Sequence, residues 1–224
     1  MSIDELISRA RDRGFHTIAV TDHSQENVEA GGLAPDQLRR HMDAVREAAA
    51  RHADISVLAG SEVDILKDGS LDYEDDLLAE LDIVVASVHY HLDQSPDVAT
   101  RRLVRAASHP LVHIIGHPTA RWDGVDAGLK PDMYALAQAA AENDTALEIN
   151  CNPVRLDLCA EHVRIALTVG ARIAINCDVH HPDQFERLPL GVKVARDGAV
   201  TAERCLNTWD APRLHAWLAG SRGR

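Results

Sequence analysis

Six short apolar runs recur along the chain, and stretches with a helical pattern separate them. The runs lack the alternation of polar and apolar residues that marks a half-exposed strand, so we expect strands covered on both faces, as in a parallel sheet wrapped by helices. The predicted strands span residues 17–21, 55–59, 83–87, 112–116, 146–150 and 172–177. Strand alternating with helix six times predicts an α/β fold with a barrel-like sheet.

The predicted helices have clear start and stop signals. Ser2 and Glu5 have the spacing of a capping box, and the helix that they open is expected to end at Gly14, because glycine readily adopts the left-handed conformation. Other helices are predicted over residues 35–52, 72–81, 96–108, 131–143 and 160–169, and a last helix begins at Pro212. The chain has 224 residues and no Gly/Ser-rich linker, so we predict a single domain over residues 1–224.

Each predicted strand ends near a side chain that can bind a metal ion. These side chains are His23, Glu62, His89, His117, Asn150 with Asn152, and Asp178 with His180. In a barrel of parallel strands the carboxyl ends all open at one face, which brings such residues together. The sequence therefore predicts one polynuclear metal site at that face.

The residue types define the chemistry of the site. Imidazole nitrogens and carboxylate oxygens are ligands of zinc, manganese and iron. Glu62 has two carboxylate oxygens and can bridge two ions. Asp178 and His180 are two residues apart, so on an extended chain both point to the same side. Two or more such ions can activate water for attack on phosphorus.

Some polar residues near the strand ends have two interpretations. Asn150, Asn152 and Arg155 either form a turn, which asparagine favours, or bind a substrate phosphate through amide and guanidinium donors. His91 and His181 are either further ligands or ordinary hydrogen-bonding residues. The sequence alone does not decide between these interpretations.

Composition narrows the range of partners. The formal net charge is -12, which argues against strong autonomous nucleic-acid binding, since that needs clustered Lys and Arg. The four cysteines include no C-x-x-C pair, so neither a zinc knuckle nor a disulfide framework is indicated. No apolar run approaches the ~20 residues of a membrane span, and no signal peptide is recognisable, so we expect a cytoplasmic location. Nothing in the sequence specifies an oligomeric state.

Taken in order, several phrases give the chain a family resemblance. It resembles the PHP family, the polymerase and histidinol phosphatase domains, in T-D-H-S, G-S-E-V-D-I-L-K-D-G-S-L-D, V-V-A-S-V-H, G-H-P, E-I-N and I-N-C-D-V-H-H. The phrases E-V-D-I-L-x-D-G-S-L-D, I-N-x-x-P-x-R-L-D and C-L-N-T-W most resemble the PHP domain at the carboxyl end of bacterial X-family DNA polymerases. The resemblance covers nearly the whole chain.

The resemblance implies a fold and a chemistry. In that family a distorted TIM-like (β/α)7 barrel holds up to three zinc, manganese or iron ions, and the enzymes hydrolyse phosphoesters. The polymerase-linked members are similar to manganese-dependent 3′-5′ exonucleases and 3′-phosphatases. Carried over by motif, Glu62 would bridge two metals and His89 and His117 would complete one of them. His23 and His180 would hold another metal, and Asp178 would belong to the third. The catalytic chemistry would then involve Glu62, Asp178 and His180.

The chain departs from the family pattern at its first strand. The family opens with a strand that carries H-x-H, followed by an Asp or His before a Gly, and no counterpart is recognisable here. We therefore expect six strands instead of seven, an opening between the strands that begin at Thr17 and Arg172, and a domain truncated at its N-terminus relative to the family. A fragment, a misassigned start codon and a degenerate paralogue all fit. We expect at least one bound transition metal, with weak or no activity until such a segment is restored.

Three classes of function compete. The leading hypothesis is a metal-dependent phosphoesterase acting on a DNA 3′ end presented by another domain, or on a small phosphomonoester as histidinol phosphatases do. An amidohydrolase-like enzyme would require a carbamylated lysine at a strand end, and Lys67, Lys130 and Lys193 do not lie there. The third hypothesis is a non-catalytic, metal-binding scaffold module.

Overall fold

The computed structural model describes residues 1–125 and 127–221, and its sheet has six parallel strands in chain order. The strands are β1 (Thr17–His23), β2 (Ser56–Asp64), β3 (Ile83–Ser87), β4 (Ile114–Ile115), β5 (Ala146–Asn150) and β6 (Arg172–Asn176). The sheet curls into an incomplete barrel with helices around it. The predicted α/β class and the distorted TIM-like architecture with six strands are confirmed.

Eight helices lie in the described ranges. They are α1 (Ile3–Asp12), α2 (Pro35–Arg51), α3 (Asp75–Leu78), α4 (Pro96–Ala107), α5 (Met133–Glu142), α6 (Ala160–Thr168), α7 (Leu188–Asp197) and α8 (Ala211–Ser221). As predicted, the Ser2 side chain accepts a hydrogen bond from the N–H of Glu5 at 3.2 Å, and Gly14 follows α1 with a φ of 79°. None of the helices in this part of the chain is long and apolar enough to cross a membrane.

Three elements differ from their predicted extent. Helix α3 is shorter than the predicted helix over 72–81, because the preceding residues form a small hairpin in which Leu66 N–H donates to Ser70 O and Asp72 N–H to Asp64 O. Strand β4 has only two paired residues. Helix α7 was not predicted, and it contains Pro189 and Gly191, both poor helix formers. Proline in the first turn of a helix is tolerated because its missing N–H is not needed there.

Two apolar layers cover the two faces of the sheet. The larger layer joins the outer face to the surrounding helices, for example Leu38 and Met42 of α2 and Leu103 of α4, all buried. The inner layer lines the concave side, where Val85 and Ile114 pack with Trp217 of α8. Helix α8 therefore closes the amino-terminal end of the incomplete barrel and leaves the carboxyl end of the strands for a site.

Strands β1 and β6 do not pair with each other, which confirms the predicted opening. The edge of β6 is covered instead by the segment after α7, where Ile173 N–H donates to Arg204 O at 2.8 Å and Ile175 N–H to Asn207 Oδ1 at 2.7 Å. Ala19, in the middle of β1, is exposed. A cavity of about 1000 Å³ lies inside the curled sheet and is lined by residues of both strands.

Candidate metal centre

Four of the predicted ligands lie at the carboxyl ends of four consecutive strands. His23 is the last residue of β1 and is paired in register with Glu62 of β2. His89 follows the end of β3 by two residues, and His117 follows β4 by the same interval. Because β1 to β4 are neighbours in the sheet, these side chains converge although almost one hundred positions separate the first from the last.

Glu62 is the centre of this cluster. Its carboxylate is buried, and its Oε1 lies 2.9 Å from His117 Nε2 and 3.3 Å from His89 Nε2. Ser87 Oγ donates to the same oxygen at 2.6 Å, while His23 Nδ1 lies 3.7 Å from Oε2. Burial alone would raise the pKa of Glu62, but the hydrogen bonds with His117 and His89 outweigh it and hold the pKa well below its usual range. Glu62 is therefore a charged carboxylate.

A second carboxylate, that of Asp64, forms a hydrogen bond with the His89 ring on the side away from Glu62. His89 Nδ1 lies 2.9 Å from Oδ1 of the buried Asp64, so Nε2 is left facing Glu62. Burial disfavours a charge on His89, but the hydrogen bonds with Asp64 and Glu62 prevail and raise its pKa to about 9. A carboxylate behind an imidazole is the arrangement that orients histidine ligands of metals and fixes their tautomer.

Two overlapping groups of side chains can each offer three ligand atoms within 4.8 Å of one another. One group consists of Glu62, His89 and His117, and the other of His23, Asp64 and His89. Neighbouring rings cross edge to face, with centroids 5.0 Å apart for His23 and His89 and 5.1 Å apart for His89 and His117. The convergence on which the sequence prediction depends is present.

Asp178 and His180 lie at the rim and belong to neither three-ligand group. Asp178 has a positive φ of 52° and accepts a hydrogen bond from Asn150 Nδ2 at 3.2 Å. His180 Nδ1 is 3.0 Å from the carbonyl oxygen of Asp178, and its side chain is 65% exposed. The His180 ring centroid is 6.5 Å from that of His23. Both residues line the cavity on the open side of the sheet.

Asn152 and Arg155 lie in the loop that follows β5. Asn152 N–H donates to Asn150 Oδ1 at 2.9 Å, and its own side-chain oxygen accepts from Val154 N–H at 3.4 Å, which is turn chemistry. Arg155 Cζ lies 4.8 Å from the centroid of the Trp122 ring. These bonds are those of the turn interpretation of Asn150 and Asn152, and binding of a substrate by either asparagine stays a prediction. The guanidinium of Arg155 makes no hydrogen bond within the described ranges.

A third buried carboxylate, Glu148 of β5, lies next to the cluster. Its Oε2 accepts from the backbone N–H of His117 at 2.7 Å and from Asn150 Nδ2 at 3.3 Å. Its Oε1 accepts from Asn176 Nδ2 at 2.7 Å. Burial, strengthened by the charges of Asp178 and Glu62, raises the pKa of Glu148 to about 7. Through these hydrogen bonds, Glu148 connects the backbone of His117 to Asn176 at the end of β6.

Asp64 and Glu148 were missed as site residues, although both lie in phrases that carry the family resemblance. Asp64 is two residues after Glu62 on the same strand, so its side chain points to the same face. Glu148 is a charged residue inside an otherwise apolar strand that is buried throughout. Both signals were available, because a carboxylate in a buried strand needs partners inside the fold.

Comparison with known proteins agrees with this geometry. Residues 1–152 match the family described as PHP domain. The chain is 38% identical over 217 residues to the DNA polymerase/3′-5′ exonuclease PolX of Bacillus subtilis, an alignment that covers 97% of this chain and 38% of that protein. It is 31% identical to a probable phosphatase of Syntrophotalea carbinolica, covering 92% of this chain and 85% of that protein. A probable phosphatase of Tolumonas auensis is 28% identical, with coverage of 100% and 89%.

Proposed function

The chain belongs to the PHP domain family, and we propose that it is a phosphoesterase that depends on divalent transition-metal ions. The observation that carries the proposal is the buried, ionised Glu62 with His89 and His117 both in contact with one of its oxygens. Such a constellation is costly to bury unless its charge is compensated, and a cation provides that compensation. The mixed nitrogen and oxygen donors suit zinc, manganese or iron.

The residues fit such an ion on grounds of donor chemistry. His117 Nδ1 and Asp64 Oδ2 are buried side-chain atoms without a hydrogen-bond partner in the described part of the chain. Glu62, His89 and His117 would hold one ion. His23 and the second carboxylate oxygen of Glu62 would together hold a neighbouring ion. A bound ion of this kind lowers the pKa of water and neutralises charge on phosphoryl oxygens.

The chain's own residues have distinct parts in the proposed reaction. Glu62 supplies negative charge at the centre of the cluster, and Asp64 orients His89 through Nδ1. Asp178 and His180, at the rim, would contact a substrate or hold a further ion on the open side. Within the described ranges the Arg155 guanidinium has no hydrogen-bond partner, which suits it to a phosphoryl oxygen.

For the substrate, we propose the 3′ end of a DNA strand that another domain presents. The similarity to a DNA polymerase with 3′-5′ exonuclease in its name supports this, although the chain spans 38% of that protein's length. The net charge of -12 supports the need for a separate DNA-binding partner. A small phosphomonoester is the second candidate, favoured by the same charge and by phosphatase relatives that the chain covers over most of their length.

Metal analysis combined with a hydrolysis assay tests the proposal. The protein is loaded with Mn²⁺ or Zn²⁺, dialysed and analysed for metal, then assayed on DNA with a 3′-hydroxyl or 3′-phosphate end and on a small phosphomonoester. Glu62→Gln should lose metal and activity, and Asp64→Asn should weaken metal binding by roughly 10- to 100-fold, as removal of an orienting partner does. His109→Ala, which changes a histidine outside the site, is the matched control.

The outcomes separate the hypotheses. Retained metal with hydrolysis that Glu62→Gln abolishes supports the phosphoesterase, and the preferred substrate distinguishes a DNA end from a small molecule. Retained metal without hydrolysis of any substrate favours the scaffold module. Failure of the wild-type protein to retain either metal above the level of Glu62→Gln would refute the proposal.

A further inference from the structure

Trp122 is an exposed aromatic side chain in a loop that leaves the carboxyl end of the sheet. The protein has three tryptophans, and Trp209 and Trp217 are only 5% and 6% exposed, whereas Trp122 is 39% exposed. Trp122 lies in the loop that follows β4, five residues after the ligand candidate His117. Five residues span at most about 17 Å, so the indole lies within reach of a ligand that occupies the centre.

The loop of Trp122 is fixed against the loop that follows β5. Asp123 N–H donates to the carbonyl oxygen of Val154 at 2.7 Å. Arg121 donates through its guanidinium to the carbonyl oxygens of Arg155 and Leu156. These bonds are made by the residues on both sides of Trp122, so they hold its backbone against the loop that follows β5.

One side of the Trp122 ring faces a cation. Arg155 Cζ lies 4.8 Å from the ring centroid, within the range of a cation–π contact. The Arg155 guanidinium has no hydrogen-bond or ion-pair partner in the described ranges, and its Nε is buried without one. In a chain with a net charge of -12, a guanidinium left unpaired at the mouth of the site is available for an anion.

The residues that flank Trp122 in sequence line an open cavity. A cavity of about 430 Å³ is lined by Arg121, Asp123, Gly124, Val125 and Ala127. Val125 is 80% exposed, so this loop presents apolar as well as basic side chains. A flat aromatic ring, an arginine and an adjoining open cavity suit a ligand that combines a planar π-system with a phosphate.

We propose that Trp122 and Arg155 form a subsite for the terminal nucleotide of a DNA 3′ end. The base stacks on the face of the indole that Arg155 leaves open, and the guanidinium binds a phosphate of the same strand. This inference rests on the proposed phosphoesterase function and specifies its substrate class. Stacking is tolerant of base identity, so the subsite favours nucleotides over phosphomonoesters without a base and has little sequence preference.

Binding measurements test this without requiring turnover. A short single-stranded DNA with a 5′ fluorophore and a 3′-phosphate is titrated with the protein in the presence of a chelator, and anisotropy is recorded. Trp122→Ala and Arg155→Ala should each raise Kd by about five-fold or more, the lower end of the effect of losing one base–aromatic stack. Trp122→Phe keeps an aromatic face and should bind within about two-fold of wild type. Arg40→Ala, an exposed arginine on α2, is the matched control and should change nothing.

Two further readouts assign the effect to stacking. Unlabelled DNA should quench the tryptophan emission of the wild-type protein, and Trp122→Phe should abolish that quenching, because the other two tryptophans are buried. A DNA whose 3′-terminal nucleotide is abasic should bind the wild type as weakly as intact DNA binds Trp122→Ala. With that abasic DNA, Trp122→Ala should cause no additional loss.

The results distinguish this inference from the proposed function. Absence of DNA binding by the wild type, or equal Kd values for wild type and Trp122→Ala, overturns the subsite even if metal-dependent hydrolysis is found. Stacking without hydrolysis in the metal-loaded protein leaves the subsite in place and contradicts the phosphoesterase. Hydrolysis of a base-free phosphomonoester with no effect of Trp122→Ala on DNA binding identifies the protein as a small-molecule phosphatase.

Discussion

Replacing Glu148 by glutamine should make the metal-free protein more stable at neutral pH. Glu148 is 4% exposed, and burial raises its pKa from the ordinary 4.5 to about 7. A carboxyl group with a raised pKa in the folded state destabilises that state when it ionises. The penalty is absent below pH ~4.5, grows as the pH rises through about 7 and is complete above it. At about 1.4 kcal/mol per tenfold change in proton affinity, it reaches about 3 kcal/mol.

Glutamine can occupy the site of the protonated acid. The oxygen Oε2 must accept from the backbone N–H of His117, which cannot change its role, so the glutamine oxygen takes that place. The glutamine NH₂ then replaces Oε1, and the Asn176 amide turns over to present its oxygen to it. The substitution therefore removes the titration while it keeps the volume and most of the hydrogen bonds.

Urea unfolding of the chelated proteins between pH 5 and 8.5 measures this effect. The free energy of unfolding of Glu148→Gln minus that of wild type should increase with pH, by up to about 3 kcal/mol, with its steepest change between pH 5 and 7. Glu203→Gln, at an exposed glutamate, should show a difference that is independent of pH. A pH-independent difference for Glu148→Gln as well would refute the view that Glu148 is protonated in the metal-free fold.

Two further substitutions test the packing and the loop that support the site. Leu147→Ala, at a fully buried residue of β5, should lower the free energy of unfolding in urea by about 2–5 kcal/mol. Leu190→Ala, at a side chain that is 38% exposed, should lower it much less, and similar losses would contradict the described core. Gly128→Ala should lower the free energy of unfolding by about 1–3 kcal/mol, because the φ of Gly128 is +71° and the new Cβ would lie 2.2 Å from Thr119 O. Gly124→Ala, where φ is +75° and no atom lies within 4 Å of the new Cβ, should lower it less in the same assay. Equal losses would refute the steric argument.

The sequence predicted the sheet well where apolar residues alone determine a strand. All six strands were located from runs of Val, Ile, Leu and Ala, and their parallel order followed from the intervening helices. Lengths were less predictable, since β2 extends to Asp64 through pairing with β1 and β3 on both sides. Helix α7 was missed because Pro189 and Gly191 break helices in isolation. In the fold, the Cβ position of Gly191 abuts the Cys151 side chain, so a small residue permits close packing there.

The candidate site was predictable to the extent that its residues end strands. His23, Glu62, His89 and His117 were identified from that position alone, and the structure brings them together. Asp64 and Glu148 lie within strands, where periodicity predicts that a side chain is buried but does not identify its hydrogen-bond partner. Their pairing depends on distances between strands that only the folded sheet defines. The same holds for Trp122, whose neighbour Arg155 is more than thirty residues away.

The charges of the site are distributed unevenly around the mouth of the sheet. On the side of β2 to β4, Glu62, His89 and His117 supply three ligand atoms that lie close together and are backed by Asp64. On the side of β1 and β6, Asp178 and His180 border a cavity that the sheet does not close. A first ion would therefore find three donors already close together on the closed side. A further ion would combine His23 and the second oxygen of Glu62 with donors on the open side such as Asp178 and His180, which line the same cavity.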